Sequence, residues 1–285
     1  MRSITIQKSN SDSLLAQLGI LYSVFKEASK DEQLEFDLSL LDLVCPLLLL
    51  PLAAYMRTTG STAPVDHYNV SSYLKSVSFP NGVDSVSSFE KQLQQEKNYI
   101  PISVLIQNAG ADRERLESLF ADMILKSLNA ADIPGIMNAV YYPITELATN
   151  VFEHSKSNHG FVFGQFYPKK NYLDICIVDC GRGLRASYEQ DKNLFISDLD
   201  AITEAMRGHS TKPDKERGYG VSTSKRVVCE GLNGEFILLS GSGVLVAKNT
   251  SERIASLPNF NWQGVIIAYR IPKPKAPIDI SPFLE

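Results

Sequence analysis

Residues 146–154 read ELATNVFEH within an otherwise apolar stretch. A helix turns by about 100° per residue. Glu146, Asn150, Glu153 and His154 therefore share one arc, and Ile144, Leu147, Ala148 and Val151 lie on the opposite side. An amphipathic helix with a wet face accounts for that pattern. So does a metal–water site. An asparagine amide oxygen is a hard ligand suited to Mg²⁺, and a carboxylate one turn away can orient or deprotonate a water.

Two glycine-bearing stretches follow. In IVDCGRG, Ile177–Gly183, a strand ends in Asp179, whose carboxylate can accept a hydrogen bond from an exocyclic amine. Gly181 and Gly183 allow the backbone to turn sharply and approach a planar ligand, although a plain strand-end turn has the same composition. In ERGYGVSTSKRVV, Glu216–Val228, Gly218 and Gly220 precede a helix start, where free backbone N–H groups can meet an anion. Arg217 beside them offers a fixed charge and forked donors for phosphate. The preceding HSTK, His209–Lys212, reads either as a contact to a terminal phosphate or as a polar loop. No GxxxxGK[ST] run occurs, so a nucleotide site here is not a P-loop.

The elements that must position these residues fall into two groups. SITIQ and LEFDLSLL read as strands, with the helix-spaced Leu14, Leu18, Leu21 and Phe25 between them. Leu43–Met56 reads as a core helix, too short to span a bilayer and holding Pro46 and Pro51. Ile100–Gln107 is a third strand, and together these predict a small α/β domain over residues 1–108. A second domain, 109–275, opens with a helix over Asp112–Leu128 and another running from Asp132 and Pro134 to about Ser155. GFVFGQFYP and YLDICIVDCG make a hairpin, Arg182–Arg217 is irregular, and STSKRVVCEG is a helix. GEFILLSGSG, VLVAKN and GVIIAYRIP add three strands. Helices on one side of mostly antiparallel strands predict a two-layer α/β sandwich, with 276–285 a peripheral tail.

Composition sets the outer bounds. The 285 residues carry a formal net charge of −4, with 44 % hydrophobic and 21 % charged residues, an ordinary globular balance. No Lys/Arg block stands out, so nucleic acid is not indicated as a partner. Cys45, Cys176, Cys180 and Cys229 form no CxxC pair or zinc spacing and read as reduced thiols. The polar start MRSITIQKSN lacks a signal-peptide pattern, and the expectation is a cytoplasmic protein with no membrane partner.

The order of the motifs is more specific than any one of them. ELATNVFEH resembles the N box of the GHKL superfamily of ATP-binding domains, in the version carried by its anti-sigma-factor kinases. DCGRG resembles the first glycine box of that superfamily and RGYGV the second. SKRVVCEGLNGEFILLSGSG is similar to the continuation in sensor histidine kinases. The resemblance covers roughly Asp112–Lys273. It implies an ATP–Mg²⁺ site with Asn150 on the metal and Asp179 reading adenine. It also implies that Gly181 and Gly183 shape the base pocket, and that Gly218 and Gly220 hinge a mobile lid, Leu184–Arg217, over the phosphates. Glu146 stands at the position of the general base in the hydrolysing branches. The second box departs from the histidine-kinase pattern, with Val221 and Ser222 in place of leucine and glycine, which bears on lid geometry.

FDLSLLDLVCPLLLLPL resembles the strand–loop–helix of STAS domains. Cys45 and Pro46 stand in the loop where that family can carry a phosphoserine, so a docking or dimerising domain is the expectation. The whole then reads as a Mg²⁺-dependent ATP-binding switch with slow ATPase activity, acting on an unidentified protein partner or forming a homodimer. The alternative is a protein serine/threonine kinase of the anti-sigma-factor type. A histidine kinase needs a phosphoacceptor helix before the ATP domain, and Asp112–Leu128 contains no histidine. A fragment beginning near Ala109 is expected to carry the nucleotide site by itself.

Overall fold

The computed structural model describes residues 1–8, 11–28, 31–66, 68–95, 99–130, 132–209 and 220–284. The amino-terminal part holds β1 (Arg2–Thr5), α1 (Leu14–Phe25), β2 (Leu34–Asp37), α2 (Pro46–Thr59), α3 (Ser71–Ser76), α4 (Val86–Gln95) and β3 (Ser103–Ile106). Then come α5 (Ala111–Leu128), α6 (Ile136–Ser155), β4 (His159–Tyr167), β5 (Tyr172–Asp179), α7 (Gly183–Lys192) and α8 (Asp198–Met206). The chain closes with α9 (Gly220–Arg226), β6 (Glu235–Gly241), β7 (Gly243–Lys248), β8 (Ser251–Ser256) and β9 (Trp262–Pro272). Among the described residues no helix is long and apolar enough to cross a membrane.

Seven strands form one antiparallel sheet in the order β3–β4–β5–β9–β6–β7–β8. Its central strands alternate between two cores. Val162, Ile175, Ile177, Leu238 and Ile267 join α5 and α6 in one. Phe161, Phe163, Cys176, Val178, Leu239 and Ile266 join α1 and α2 in the other. Helices thus cover both faces, where one helical layer was expected. The physical reason is that Leu173–Asp179 is buried without interruption, and a strand apolar on both sides needs a cover on both.

The amino-terminal part supplies that second cover. β1 and β2 pair in parallel through α1, as a separate two-stranded sheet. The third strand expected there, β3, instead pairs antiparallel with β4 and forms an edge of the large sheet. α2 starts one residue after Cys45, with Pro46 in its first turn, and ends at Gly60 in a left-handed conformation. Cys45 is the extended residue that ends the loop and caps the helix, and burial pushes its thiol up to about 12. The tail expected to be peripheral also packs inward, with Ile280 joining the α5–α6 core. A chain beginning at Ala109 would lose β3 and bare Phe161, Phe163, Val178 and Ile266 to water. The packing speaks against the expected self-sufficient fragment.

A buried ion pair joins two strands of the sheet under α1. Asp174 of β5 is 1 % exposed and lies opposite Arg270 of β9. Arg270 donates to both carboxylate oxygens, at 2.6 and 2.7 Å. Gln17 of α1 donates a third bond at 2.9 Å, and the guanidinium lies 3.7 Å from the centre of the Tyr172 ring. Removing one member strands a buried charge. Asp174→Ala is expected to destabilise the fold by about 3–5 kcal/mol. The paired apolar replacement Asp174→Leu with Arg270→Met recovers most of that loss, as urea unfolding of both variants measures.

Candidate functional site

α6 lays Ile144, Leu147, Ala148 and Val151 on the sheet, as the sequence periodicity predicts. Glu146 and Asn150 are half-buried on the flank that meets α9. A Cβ at Gly220, the first residue of α9, would sit 2.8 Å from Glu146 Oε2 and 3.2 Å from Asn150 Nδ2. Close approach to this pair is thus what glycine provides at 220. Asn150 Nδ2 is buried with no hydrogen-bond partner among the described residues. Amide O and N are interchangeable in shape, so the same position can offer either a donor or a hard oxygen ligand. An unpaired amide in a recess wall suits a ligand oxygen or an Mg²⁺ ion that takes its other ligands from phosphate and water. Among the described residues no group of three or more His, Cys, Asp or Glu side chains could hold a metal.

Between α6 and the sheet lies a recess of about 60 Å³. That is room for about two waters. Asn150 and Asp179 are polar members of its lining, and Leu147, Ile177, Leu184, Val221 and Ile267 supply apolar walls. Asp179, at the end of β5, is 2 % exposed. Its carboxylate accepts the Gly181 N–H at 2.8 Å and also the Val265 N–H. Burial nevertheless pushes the group up to about 7, because two backbone donors do not offset full desolvation.

The other expected residues fall out unevenly. Gly181 and Gly183 flank the turn after Asp179. A Cβ on Gly181 would meet the Ser155 carbonyl at 2.3 Å, so glycine there permits the turn to pack on the end of α6. Gly183 has φ +75° and starts α7, a conformation that favours glycine. Glu153 is exposed. Arg217, Gly218 and Ser210–Lys212 lie outside the described residues, as does the His154 side chain.

The lid expected over Leu184–Arg217 needs correction for its first part. Residues 183–206 hold two helices, not an irregular loop, and they are tied down. Leu184 N–H donates to Ser240 Oγ at 2.9 Å, and Ser242 donates to Asp198 from both N–H and Oγ at 2.9 Å. Arg182 pairs with Asp191, and the Tyr188 hydroxyl donates to the His209 carbonyl. His209, expected near phosphate, holds Glu204. Surface charges in this stretch hid its short apolar period, of which Ala201 and Ile202 are the buried members.

Two residues escaped the sequence reading. Tyr142 sits one turn before Glu146 on the same stripe, and Thr223 of α9 hydrogen-bonds it. Burial, and then the charge of Glu146, raise the Tyr142 hydroxyl. The spacing 142, 146, 150 was the available signal. No protein-family model matches the chain, and no curated protein matches it.

Asp179 generates a stability prediction with a definite sign. The folded protein keeps a proton up to about pH 7 that an ordinary aspartate releases near 3.8. The stability linked to that proton is full below about pH 4, falls as pH rises to about 7, and is level above it. In Asp179→Asn this slope is absent. The variant is expected to gain on the wild type by on the order of a few kcal/mol between pH 4 and 7. Glu117, which burial also raises to about 7, titrates in both proteins and cancels in the difference. Scanning calorimetry of the pair across that range measures it.

Proposed function

We propose that the recess binds ATP with Mg²⁺ and that the protein is a nucleotide-driven switch of the GHKL type, with slow ATPase activity, acting on a protein partner. One observation carries this reading. A buried carboxyl and a buried amide, Asp179 without a charged partner and Asn150 with an unpaired atom among the described residues, line one apolar-walled recess. Gly220 stands against Asn150 and Glu146 at its edge. These residues come from motifs far apart in sequence, in the order that the resemblance implies. The antiparallel sheet backed by α5 and α6 supports the GHKL architecture for 109–275. The parallel β1–α1–β2 unit and α2 are read as a docking layer.

The chemistry follows from the donor set. An exocyclic amine donates to the Asp179 carboxylate while the base plane lies between Leu184 and Ile177. Drug-sized ligands occupy pockets of about 300–1,000 Å³. The walls must therefore part to admit a base, and Leu184 and Val221 are the side chains nearest the glycine segments. Asn150 would hold Mg²⁺ through its amide oxygen, and the ion would neutralise phosphate charge. Glu146, one turn away, orients or deprotonates a water, with Tyr142 and Thr223 fixing its surroundings.

Mg²⁺ with saturating ATP is expected to raise the melting temperature by mass action. Glu146→Ala should keep ATP affinity within a few-fold and lower hydrolysis by on the order of 10²-fold. Incubation with γ-labelled ATP, with and without candidate partners, separates the ATPase from the protein kinase by whether label reaches water or protein. A melting curve and a calorimetric trace both indifferent to ATP would remove the reading.

A further inference from the structure

Trp262 is the one tryptophan in the chain. It opens β9 and is 4 % exposed. Its indole N–H donates to the backbone carbonyl of Asp179 at 3.0 Å. On the β4 side Asp179 pairs with Gly160. Regular β5–β9 pairing ends at Val178–Ile266, and the β6–β9 register jumps from Ser240–Val265 to Gly241–Trp262. The Val265 N–H serves the Asp179 carboxylate instead. Gly264, at φ +109°, runs so close that a Cβ would lie 2.2 Å from the same carbonyl. Two near neighbours on β9 thus hold the two polar ends of Asp179. On its other side the indole meets Phe25 of α1 edge-on, with ring centres 5.2 Å apart. Phe25 meets Tyr55 of α2 in the same way at 5.3 Å.

We propose that Trp262 is a positioning residue for Asp179, carrying the seating of α1 and α2 through the sheet to the carboxyl that reads the base. The proposal rests on the ATP reading above. Without the indole N–H a buried carbonyl loses its donor, a cost the Asp179–Gly181 turn relieves only by shifting. That shift pulls the carboxylate away from the Gly181 and Val265 N–H groups. Ligand affinity and the carboxyl's own proton affinity then change together. A residue that merely fills space would alter stability alone.

The test replaces the indole by benzothienylalanine, which keeps the ring shape and puts sulfur where the N–H was. A single tryptophan makes the replacement site-specific. Trp262→Phe is the second variant and keeps a ring beside Phe25. Two quantities are read: ATP affinity by calorimetry, and the titration midpoint of the Asp179 carboxyl by carbon NMR of ATP-free protein, with Asp179→Asn assigning the signal. Near the turn and the indole, Cys180 and Tyr55 are both pushed up to about 12 by burial and stay neutral over the range. Arg182 is held by Asp191, Glu146 stands on α6, and Asp31 lines the small cavity beside Trp262. Asp31→Asn is the control for that last group.

Affinity is expected to fall about threefold to tenfold, the equivalent of one neutral hydrogen bond. The midpoint is expected to move up by about half a unit or more, because fewer donors face the carboxylate. Unchanged affinity and midpoint in a variant that melts at lower temperature would overturn the proposal. If the wild type binds no ATP, the nucleotide reading fails by itself and the carboxyl midpoint decides: moved, Trp262 positions Asp179; unmoved, it does not.

Discussion

A strand that is apolar on both faces cannot leave either to water, and β5 is such a strand. Its burial fixes the rest. One face takes α5 and α6, the other takes α1 and α2, and each layer is needed for the other's sheet to be worth forming. Two carboxylates interrupt the apolar run, and alternation along the strand sends them to opposite faces. Asp174 faces the amino-terminal layer, where Arg270 neutralises it. Asp179 faces the recess, where among the described residues backbone N–H groups meet it. A buried carboxylate paired to arginine is spent on structure. A buried carboxyl with backbone donors alone keeps a pKa near neutrality and an unused preference for a hydrogen-bond donor. That difference in partners, not a difference in residue type, is what makes Asp179 the candidate for a ligand in the proposed reading.

The recess is assembled by close approach. Gly181 lets the turn after β5 press on the end of α6, and Gly220 lets α9 press on Glu146 and Asn150. Larger residues would hold these elements apart and leave the amide and the carboxyl in separate environments. The recess is tight, about 60 Å³, so in the proposed reading a base enters only as the walls part. The anchored α7, Leu184 included, and α8 resist such an opening through Ser240 and Asp198, which leaves the wall formed by Val221 on α9.

Much of the site was legible locally. The stripe of Glu146 and Asn150 follows from helical spacing, and Asp179 followed by glycines marks a strand end. The core helix α2 was visible as an apolar run of its own. What was not legible depends on contacts between distant residues. β3 looks like any short strand, and its partner β4 lies more than fifty residues on. The cover on both faces had a signal in ICIV, Ile175–Val178, whose unbroken apolar character differs from a one-sided alternation. β8 was missed because SERIAS is an exposed edge with Glu252 and Arg253 in it. Trp262 has no local signature, since its role arises where the β5–β9 ladder ends and β9 shifts register against β6.

The central claim is that a nucleotide base meets the carboxylate form of Asp179. Binding then lowers that group's proton affinity, and a protein half-protonated there near pH 7 must release protons on taking up ATP. Calorimetric titration of Mg²⁺ and ATP at pH 7, in buffers of different ionisation enthalpy, counts them directly. The account predicts release of up to about half a proton from Asp179 in the wild type, and loss of that release in Asp179→Asn. Binding with the same proton balance in both proteins would contradict it, as would no binding heat in any buffer.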